Sequence, residues 1–310
     1  MNVIYGIGKI KKHFRNAVLT IGVFDGLHIG HQKLIKAAVK TARSLKGPAI
    51  VMTFSPHPVQ VLSPNTYLPF IVSLPHRLKL FEQLGITTCI MIRFTKKFSH
   101  LTSHQFVKKY LTDAIRPKIV YVGRDFRFGQ GRQGTLSDFQ EIGKSQGFKV
   151  CTVALLKAGK MKIGSSHIRQ LILEGRLHKA ERYLGRKLSA MGRVVKGDGR
   201  GKTLGFPTAN IRPSNEVILP VGVYAVRVRI GPDSFKGMAN IGRRPSFKKK
   251  NCPINIETHV FDFSKNIYGK EIIIEFIERL RAEKTFRSAA QMIAQLKRDE
   301  RKSRAILRVS

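Results

Sequence analysis

Residues able to carry phosphate chemistry fall into two groups along the chain. The first opens with His28-Ile29-Gly30-His31. A glycine between two imidazoles lets the backbone approach a ligand. The helix start expected after it offers unpaired N–H groups and the positive end of a dipole. Two imidazoles can donate to oxygens that gain charge when an α-phosphate is attacked. Ser165-Ser166-His167-Ile168-Arg169 supplies two hydroxyls at a second helix start and an Arg in its first turn, a set able to grip the β- and γ-phosphates. Its plainer reading is a Ser N-cap beside a solvated Arg. In Gly123-Arg124-Asp125-Phe126-Arg127-Phe128-Gly129 the aromatics can stack a flat ring while Asp125 accepts hydrogen bonds from it; equally, two Phe can simply anchor a loop. His57, between Pro56 and Pro58, reads as a ligand or as a turn residue.

The second group begins at Gly197-Asp198-Gly199-Arg200-Gly201-Lys202-Thr203. Its end matches a Walker A loop, but the first required glycine falls on Lys196 and no helix pattern follows. A glycine-rich flap over a nucleotide remains open. Thr208 and Asn210, two apart in Phe206-Pro207-Thr208-Ala209-Asn210, can present neutral oxygens to Mg²⁺, with phosphates completing the shell. A Pro turn is the alternative. Alternation from Asn255 to Phe261 puts Glu257, His259 and Phe261 on one strand face, where Glu257 is placed to act as a general base or is simply exposed.

These clusters need elements to position them. In the first half, apolar runs at 17–24, 49–54, 88–94, 118–122 and 148–155 alternate with helical spacing at 32–45, 74–84, 102–115 and 135–146. Continuous apolar strands separated by helices predict a parallel sheet covered on both faces. Ligands of such sheets lie beyond the strands' carboxyl ends, so Asp25–His31, Ser55–Pro58 and Gly123–Gly134 should share one rim. Short helices follow at 166–173 and 177–184. Past Arg186 the texture changes to strands at 190–195, 221–230, 235–241, 254–263 and 271–276, uninterrupted by helices: an antiparallel domain, best closed as a barrel. A last helix is expected over 285–306, with Phe286, Ala289, Ile293 and Leu296 inward. The boundary is placed between 184 and 185.

The chain has 57 Lys and Arg against 19 Asp and Glu, a net charge of +38 shared by both halves. Such a field attracts polyanions, including nucleic acid, but uniform compositional bias is the favoured reading. Cys89, Cys151 and Cys252 form no CxxC or Cys/His cluster, which argues against disulfides and structural zinc and for a reducing cytoplasm. No apolar run approaches the ~20 residues of a membrane span. The short run ending at Asp25-Gly26 is not expected to be a signal peptide.

Taken together, the segments 22–32 (GVFDGLHIGHQ), 123–134, 165–169, 197–210 (GDGRGKTLGFPTAN), 238–247, 256–263 and 278–286 resemble the bacterial bifunctional riboflavin kinase/FAD synthetases over nearly the whole length. The resemblance implies a Rossmann-like FMN adenylyltransferase of the nucleotidyltransferase superfamily at 1–184, then a six-stranded barrel kinase with a C-terminal helix at 185–310. It implies that riboflavin and ATP give FMN and that FMN and ATP give FAD and pyrophosphate, with Mg²⁺. Carried over residue by residue, His28 and His31 act on the attacked α-phosphate, and Ser165, Ser166 and Arg169 hold the leaving pyrophosphate. Gly26, Gly30, Gly197, Gly199 and Lys202 are the further nucleotide contacts, and Asp125, Phe126, Phe128 and Arg281 the flavin contacts. Thr208 and Asn210 ligate Mg²⁺, and Glu257 activates the ribityl hydroxyl. Ser55 replaces the family's Asp in FDPHP and His167 replaces its Thr in SSTxxR. Oligomeric state is left open between monomer and homo-oligomer.

Overall fold

The computed structural model describes every residue except 11–12, 155–156, 159–160, 198, 215–216, 244–253 and 310. The end of the strand expected at 148–155, Asp198, Cys252 and the last four residues of the 238–247 segment therefore lie outside the described residues. The chain divides into two compact units, one of residues 1–69 and 74–165, the other of residues 70–73 and 166–310. Packing thus groups 166–184 with the second unit. The junction at 184/185 instead marks where helices give way to strands.

In the first unit a six-stranded parallel sheet contains β1 (Asn2–Tyr5), β2 (Val18–Ile21), β3 (Ala49–Ser55), β4 (Thr88–Arg93), β5 (Ile119–Gly123) and β6 (Lys149–Val153), in the order β1-β4-β3-β2-β5-β6. The side chains of its central strands alternate between two cores. Leu19, Ile21, Ile50, Met52, Ile90 and Val120 pack on one face, and Val18, Val51, Cys89 and Met91 on the other. Burial on both faces is why these strands read as unbroken apolar runs. β1, an edge strand paired only to β4, is absent from the sequence-based reading because its four residues are too few to show a pattern.

α1 (Ile29–Ser44) follows β2 and buries Leu34, Ile35, Ala38, Val39 and Ala42. α2 (Pro58–Leu62) begins at His57, whose Nδ1 accepts from Val59 N at 3.1 Å while Gln60 caps the His57 N–H in return. His57 therefore plays the turn role. α3 (Leu74–Gln83) follows, then α4 (Lys96–Ser99) and α5 (Ser103–Phe106). α5 is capped by Thr102 and widens into a π turn at Val107–Thr112, within the helix expected at 102–115. α6 (Leu136–Ser145) carries a Thr135/Asp138 capping box, which satisfies two N–H groups that the helix start leaves unpaired. β7 (Lys157–Ala158) and β8 (Met161–Lys162) form a short hairpin.

α7 (Ser165–Leu173) and α8 (Leu177–Leu184) precede a closed antiparallel barrel. Its strands are β9 (Ser189–Val195), β10 (Ala209–Pro213), β11 (Gly222–Ile230), β12 (Asp233–Arg243), β13 (Ile254–Val260) and β14 (Glu271–Arg281), in the order β10-β13-β12-β11-β14-β9. α9 (Arg200–Thr203) is a single turn between β9 and β10. The residue pattern predicts five of the six strands; β10, which runs from just after Pro207 to Pro213, lies in a stretch where only an ion-ligating pair or a Pro turn is expected. α10 (Ala289–Val309) lies against the barrel through Ile293, Leu296, Ile306 and Leu307, and buried Ser303 Oγ donates to Gly237 O at 3.0 Å. It starts at Ala289 rather than 285, and Ala289 itself is exposed. No helix among the described residues is long and apolar enough to cross a membrane.

Candidate functional site

The first constellation is built by the turn from β2 into α1. Phe24 and Leu27 both take left-handed backbone, at φ 55° and 45°, with Gly26 at 78° between them. Left-handed backbone costs roughly 1–2 kcal/mol for a residue with a Cβ. Both side chains are essentially fully buried, and burial of such a side chain returns about 1.5–3 kcal/mol, enough to hold the conformation. The turn delivers His28 to the N-cap of α1, where its Nδ1 accepts from His31 N at 3.4 Å. That bond leaves Nε2 of His28 as the ring donor. A Cβ on Gly30 would lie 3.1 Å from the His28 ring, so glycine lets the ring fold over the backbone.

His28 and His31 stack with centroids 3.7 Å apart and planes 18° off parallel. His31 also meets the edge of Phe24, and its Nδ1 is buried with no hydrogen-bond partner. Burial above all, then His28 and Arg77, hold the His31 imidazole well below its ordinary value, so it is neutral at pH 7. A neutral His31 can stack on His28 without charge repulsion, and each ring can still donate one N–H to an anionic oxygen.

The pair opens onto a cavity of about 1020 Å³. The three strand-end clusters expected to share a rim all line it: Gly30 and the two imidazoles, Pro58, and Gly123 through Arg132 except Arg124. Asp125, Phe126 and Phe128 are among these. Phe128 is buried and meets Phe139 at 4.9 Å, and Phe126 stacks on Phe128 at 5.5 Å. The two rings thus anchor the loop in the core while also forming the cavity wall. Ser165 lines the cavity and donates from Oγ to Asp25 O at 2.7 Å. Ser166 and Arg169 lie in the first turns of α7 and belong to the second compact unit, as does His167, whose ring sits 5.5 Å from Tyr183. Gly26 is buried inside the turn. Ser55 ends β3, its carbonyl accepting from Phe94 N.

The second constellation lies on the barrel. Asn210 on β10 is paired in register with Glu257 on β13. Asn255 Nδ2 donates to Asn210 Oδ1 and to Glu257 Oε1, each at 2.9 Å. One amide thus fixes both oxygen-bearing groups. The glycine-rich segment is pressed against them. A Cβ on Gly197 would fall 1.9 Å from Asn210 Nδ2, and one on Gly201 would fall 3.0 Å from Thr208 Oγ1. Gly197 therefore makes room for Asn210, while at Gly201 a Cβ would first meet Phe206 O at 2.4 Å, so that glycine admits the backbone ahead of β10 as well as Thr208. Gly199 differs: it has open space and φ +73°, so its need is conformational. Lys202 is exposed on α9. His259 Nδ1 lies 2.8 Å from Pro207 O, tying the start of β10 to β13.

Arg281 ends β14, and its Nε donates to Asp299 Oδ2 of α10 at 2.8 Å. Gln295 holds the other Asp299 oxygen at 2.8 Å, and the guanidinium lies 5.8 Å over Phe286. Its charge is thus already matched within the protein.

Two participants escaped the sequence-based reading. Asn255 is the clamp of the second constellation, and period-2 alternation from Glu257 would have placed it on the same face. Arg77 on α3 is 4% exposed, yet it lies at a position that Leu74 and Phe81 mark as core-facing. A charge on an apolar helix stripe was the available signal.

Comparison with known proteins matches residues 10–167 to the family described as FAD synthetase and residues 184–307 to riboflavin kinase. A protein of Listeria monocytogenes serovar 1/2a named bifunctional riboflavin kinase/FMN adenylyltransferase is 37% identical over 292 residues, covering 94% of this chain and 92% of its own. The protein of that name in Escherichia coli strain K12 is 35% identical, over 97% of this chain and 96% of its own. A solved structure named as a macrolide-efflux protein of Streptococcus pneumoniae superposes with a TM-score of 0.85 at 32% identity, covering 98% of this chain and 99% of that one.

Proposed function

Because the chain belongs to the bifunctional riboflavin kinase/FMN adenylyltransferase family, and so phosphorylates riboflavin with ATP to FMN and adenylylates FMN with a second ATP to FAD, we propose that each step has its own site, adenylyl transfer at the His28/His31 cavity and phosphorylation at the Asn210–Glu257 face of the barrel. The functional boundary is taken at 184/185, at the start of the riboflavin kinase match.

In the kinase step, Glu257 accepts the proton of the riboflavin 5′-hydroxyl as its oxygen attacks the γ-phosphorus, and ADP leaves. Asn255 aims the carboxylate. Asn210 Oδ1 and Thr208 Oγ1 are neutral oxygen donors, the type Mg²⁺ takes alongside phosphate oxygens, and the two glycines leave both side chains room. They would hold the ion, which supplies charge neutralisation on the phosphates. Gly197, Gly199 and Lys202 cover the triphosphate.

In the adenylyl step, an FMN phosphate oxygen attacks the α-phosphorus of ATP, the bond to the β-phosphate oxygen breaks, and pyrophosphate leaves. His28 and His31 donate to the α-phosphate oxygens as charge builds on them, inside a cavity where such bonds are worth most. Gly30, on the cavity wall, lets the phosphates approach the backbone; Gly26, buried within the turn, shapes the loop that presents it. Ser165, which lines the same cavity, takes the leaving pyrophosphate. Asp125, Phe126 and Phe128 take the flavin in the cavity, and Arg281 contacts it in the kinase site from its anchorage on Asp299. The protein acts in the cytoplasm.

The observation that carries the two-site reading is the single amide that sets Asn210 against Glu257, in a different compact unit from the histidine pair. The test follows riboflavin, ATP and Mg²⁺ to FMN and FAD by chromatography. Glu257→Gln should abolish FMN formation yet still convert supplied FMN to FAD; His31→Ala should accumulate FMN without FAD. Equal damage to both steps by both substitutions would refute separate sites.

A further inference from the structure

Beneath the histidine turn lies a buried cation that the adenylyl step, as derived above, does not use. Arg77 sits on α3, and its Nη1 donates to Val23 O at 2.6 Å. Thr53 Oγ1 donates to the same carbonyl at 3.2 Å. Val23 is the residue before left-handed Phe24, so this carbonyl is where the strained turn leaves the sheet. One helical turn further along α3, Phe81 meets the Phe24 ring edge-on at 5.6 Å. α3 therefore grips the turn twice, once by its backbone and once by its ring. Phe24 in turn meets His31 at 5.3 Å and folds over Gly22, where a Cβ would lie 3.0 Å from its ring. The chain of contacts runs from Arg77 and Phe81 through Phe24 to the reacting imidazole.

The charge of Arg77 is also placed. Burial pulls against it and the neighbouring Asp25, itself buried, supports it. Arg77 and His28 are the two basic groups that act on His31. A buried guanidinium is costly and needs such compensation, so a purely structural filler at this position would be apolar.

We propose that Arg77 is a positioning residue for adenylyl transfer, fixing the Val23–Leu27 turn by its bond to Val23 O and setting a permanent positive charge behind His31. This rests on the assignment of His28 and His31 to the α-phosphate. The guanidinium does not touch ATP; it determines where the imidazoles are and keeps the site polarised toward an incoming anion. Methionine in its place would retain the packing and lose both effects. Lysine would keep the charge but give up the fork that reaches the carbonyl while remaining beside Asp25.

The test uses the full chain with Arg77→Gln, Arg77→Lys and His31→Ala, measuring kcat and the ATP KM for FMN-to-FAD conversion and, in the same preparations, riboflavin-to-FMN conversion. A displacement of about 1 Å at a reacting group costs about 100-fold in rate, so adenylylation kcat should fall about 100-fold in Arg77→Gln and about 10-fold in Arg77→Lys. The ATP KM should stay within about 3-fold, and the kinase step should be unchanged, as expected for an interaction expressed in the transition state. Wild-type kcat in both Arg77 variants with an inactive His31→Ala would overturn the role of Arg77 and leave the site reading intact. An active His31→Ala would overturn the site reading itself. An ATP KM that rises in step with the fall in kcat would assign Arg77 to ground-state ATP binding and overturn the proposal, and so would a kcat that returns to wild type once it is taken per folded enzyme, measured by the urea transition of the same preparation. Should Arg77→Gln fail to fold, the conservative Arg77→Lys decides: wild-type kcat there overturns it.

Discussion

Gly197 and Gly199 stand two residues apart in one loop, and alanine at each should fail for different reasons. The backbone at Gly197 suits any residue, but the added methyl would lie 1.9 Å from Asn210 Nδ2 and 2.5 Å from its Cγ. Ordinary contact begins at 3.4 Å, so the amide must retreat by about 1.5 Å. Asn210 is buried and bonded to Asn255, and has nowhere to go without breaking that bond. A shift of this size at a positioned oxygen costs about 100-fold or more in rate. Gly199 has empty space around its missing Cβ but needs φ +73°, so alanine there costs only the left-handed penalty of about 1–2 kcal/mol, in stability. Initial rates of FMN formation at saturating riboflavin and ATP, with thermal midpoints alongside, separate the two. Gly197→Ala should lose FMN formation by about 100-fold while FMN-to-FAD conversion persists. Gly199→Ala should retain more of the kinase rate. A Gly197→Ala enzyme with wild-type kcat would mean that Asn210 can move freely, and the argument that this glycine exists to seat it would be wrong.

Removing Asn255 should slow the kinase by about 10- to 100-fold, since Asn210 and Glu257 both lose a donor worth about 1–3 kcal/mol; FMN-to-FAD turnover in the same Asn255→Ala preparation serves as the control. His31 should make the first unit less stable in mild acid. Its folded value lies well below 6.5, so between the two values the unfolded chain binds the extra proton. Its contribution is intact above about pH 7 and is lost as pH falls from 6.5 through the depressed value. Urea midpoints at pH 7.5, 6.5 and 5.5 should therefore decline, and His31→Asn should flatten that slope. Cys89 is fully buried and its thiol is pushed up to about 12, so iodoacetamide at pH 8 should leave it unmodified in the native protein and alkylate it in urea.

The sheet of the first unit was legible because burial on both faces writes the same apolar run into every central strand. The rim was legible because polar clusters follow those runs directly. What stayed hidden depends on contacts distant in sequence. Arg77 stands on the apolar stripe of α3, but what its charge meets there, Val23 and Asp25, lies more than fifty residues earlier. β10 could not be seen as a strand because its five residues end in Pro and owe their conformation to β9 and β13 on either side. Phe126 and Phe128 were readable as ring stackers or as anchors, and only the packing against Phe139 shows how one pair of side chains performs the second task while facing the cavity. The last helix began four residues late because apolar Phe286 continued the periodicity before the backbone turned helical.

The opposition of Asn210 to Glu257 across β10 and β13 makes the sheet a ruler. Neighbouring strands stand about 4.8 Å apart whatever their side chains, so the span between the proposed ion ligand and the proposed proton acceptor is set by the backbone lattice rather than by the choice of residue. Such a ruler has no fine adjustment: slipping β13 by one place would bring Ile256 opposite Asn210 and turn Asn255 and Glu257 away together. The phosphorylation proposed for this face would therefore be gained or lost as a unit with that one alignment.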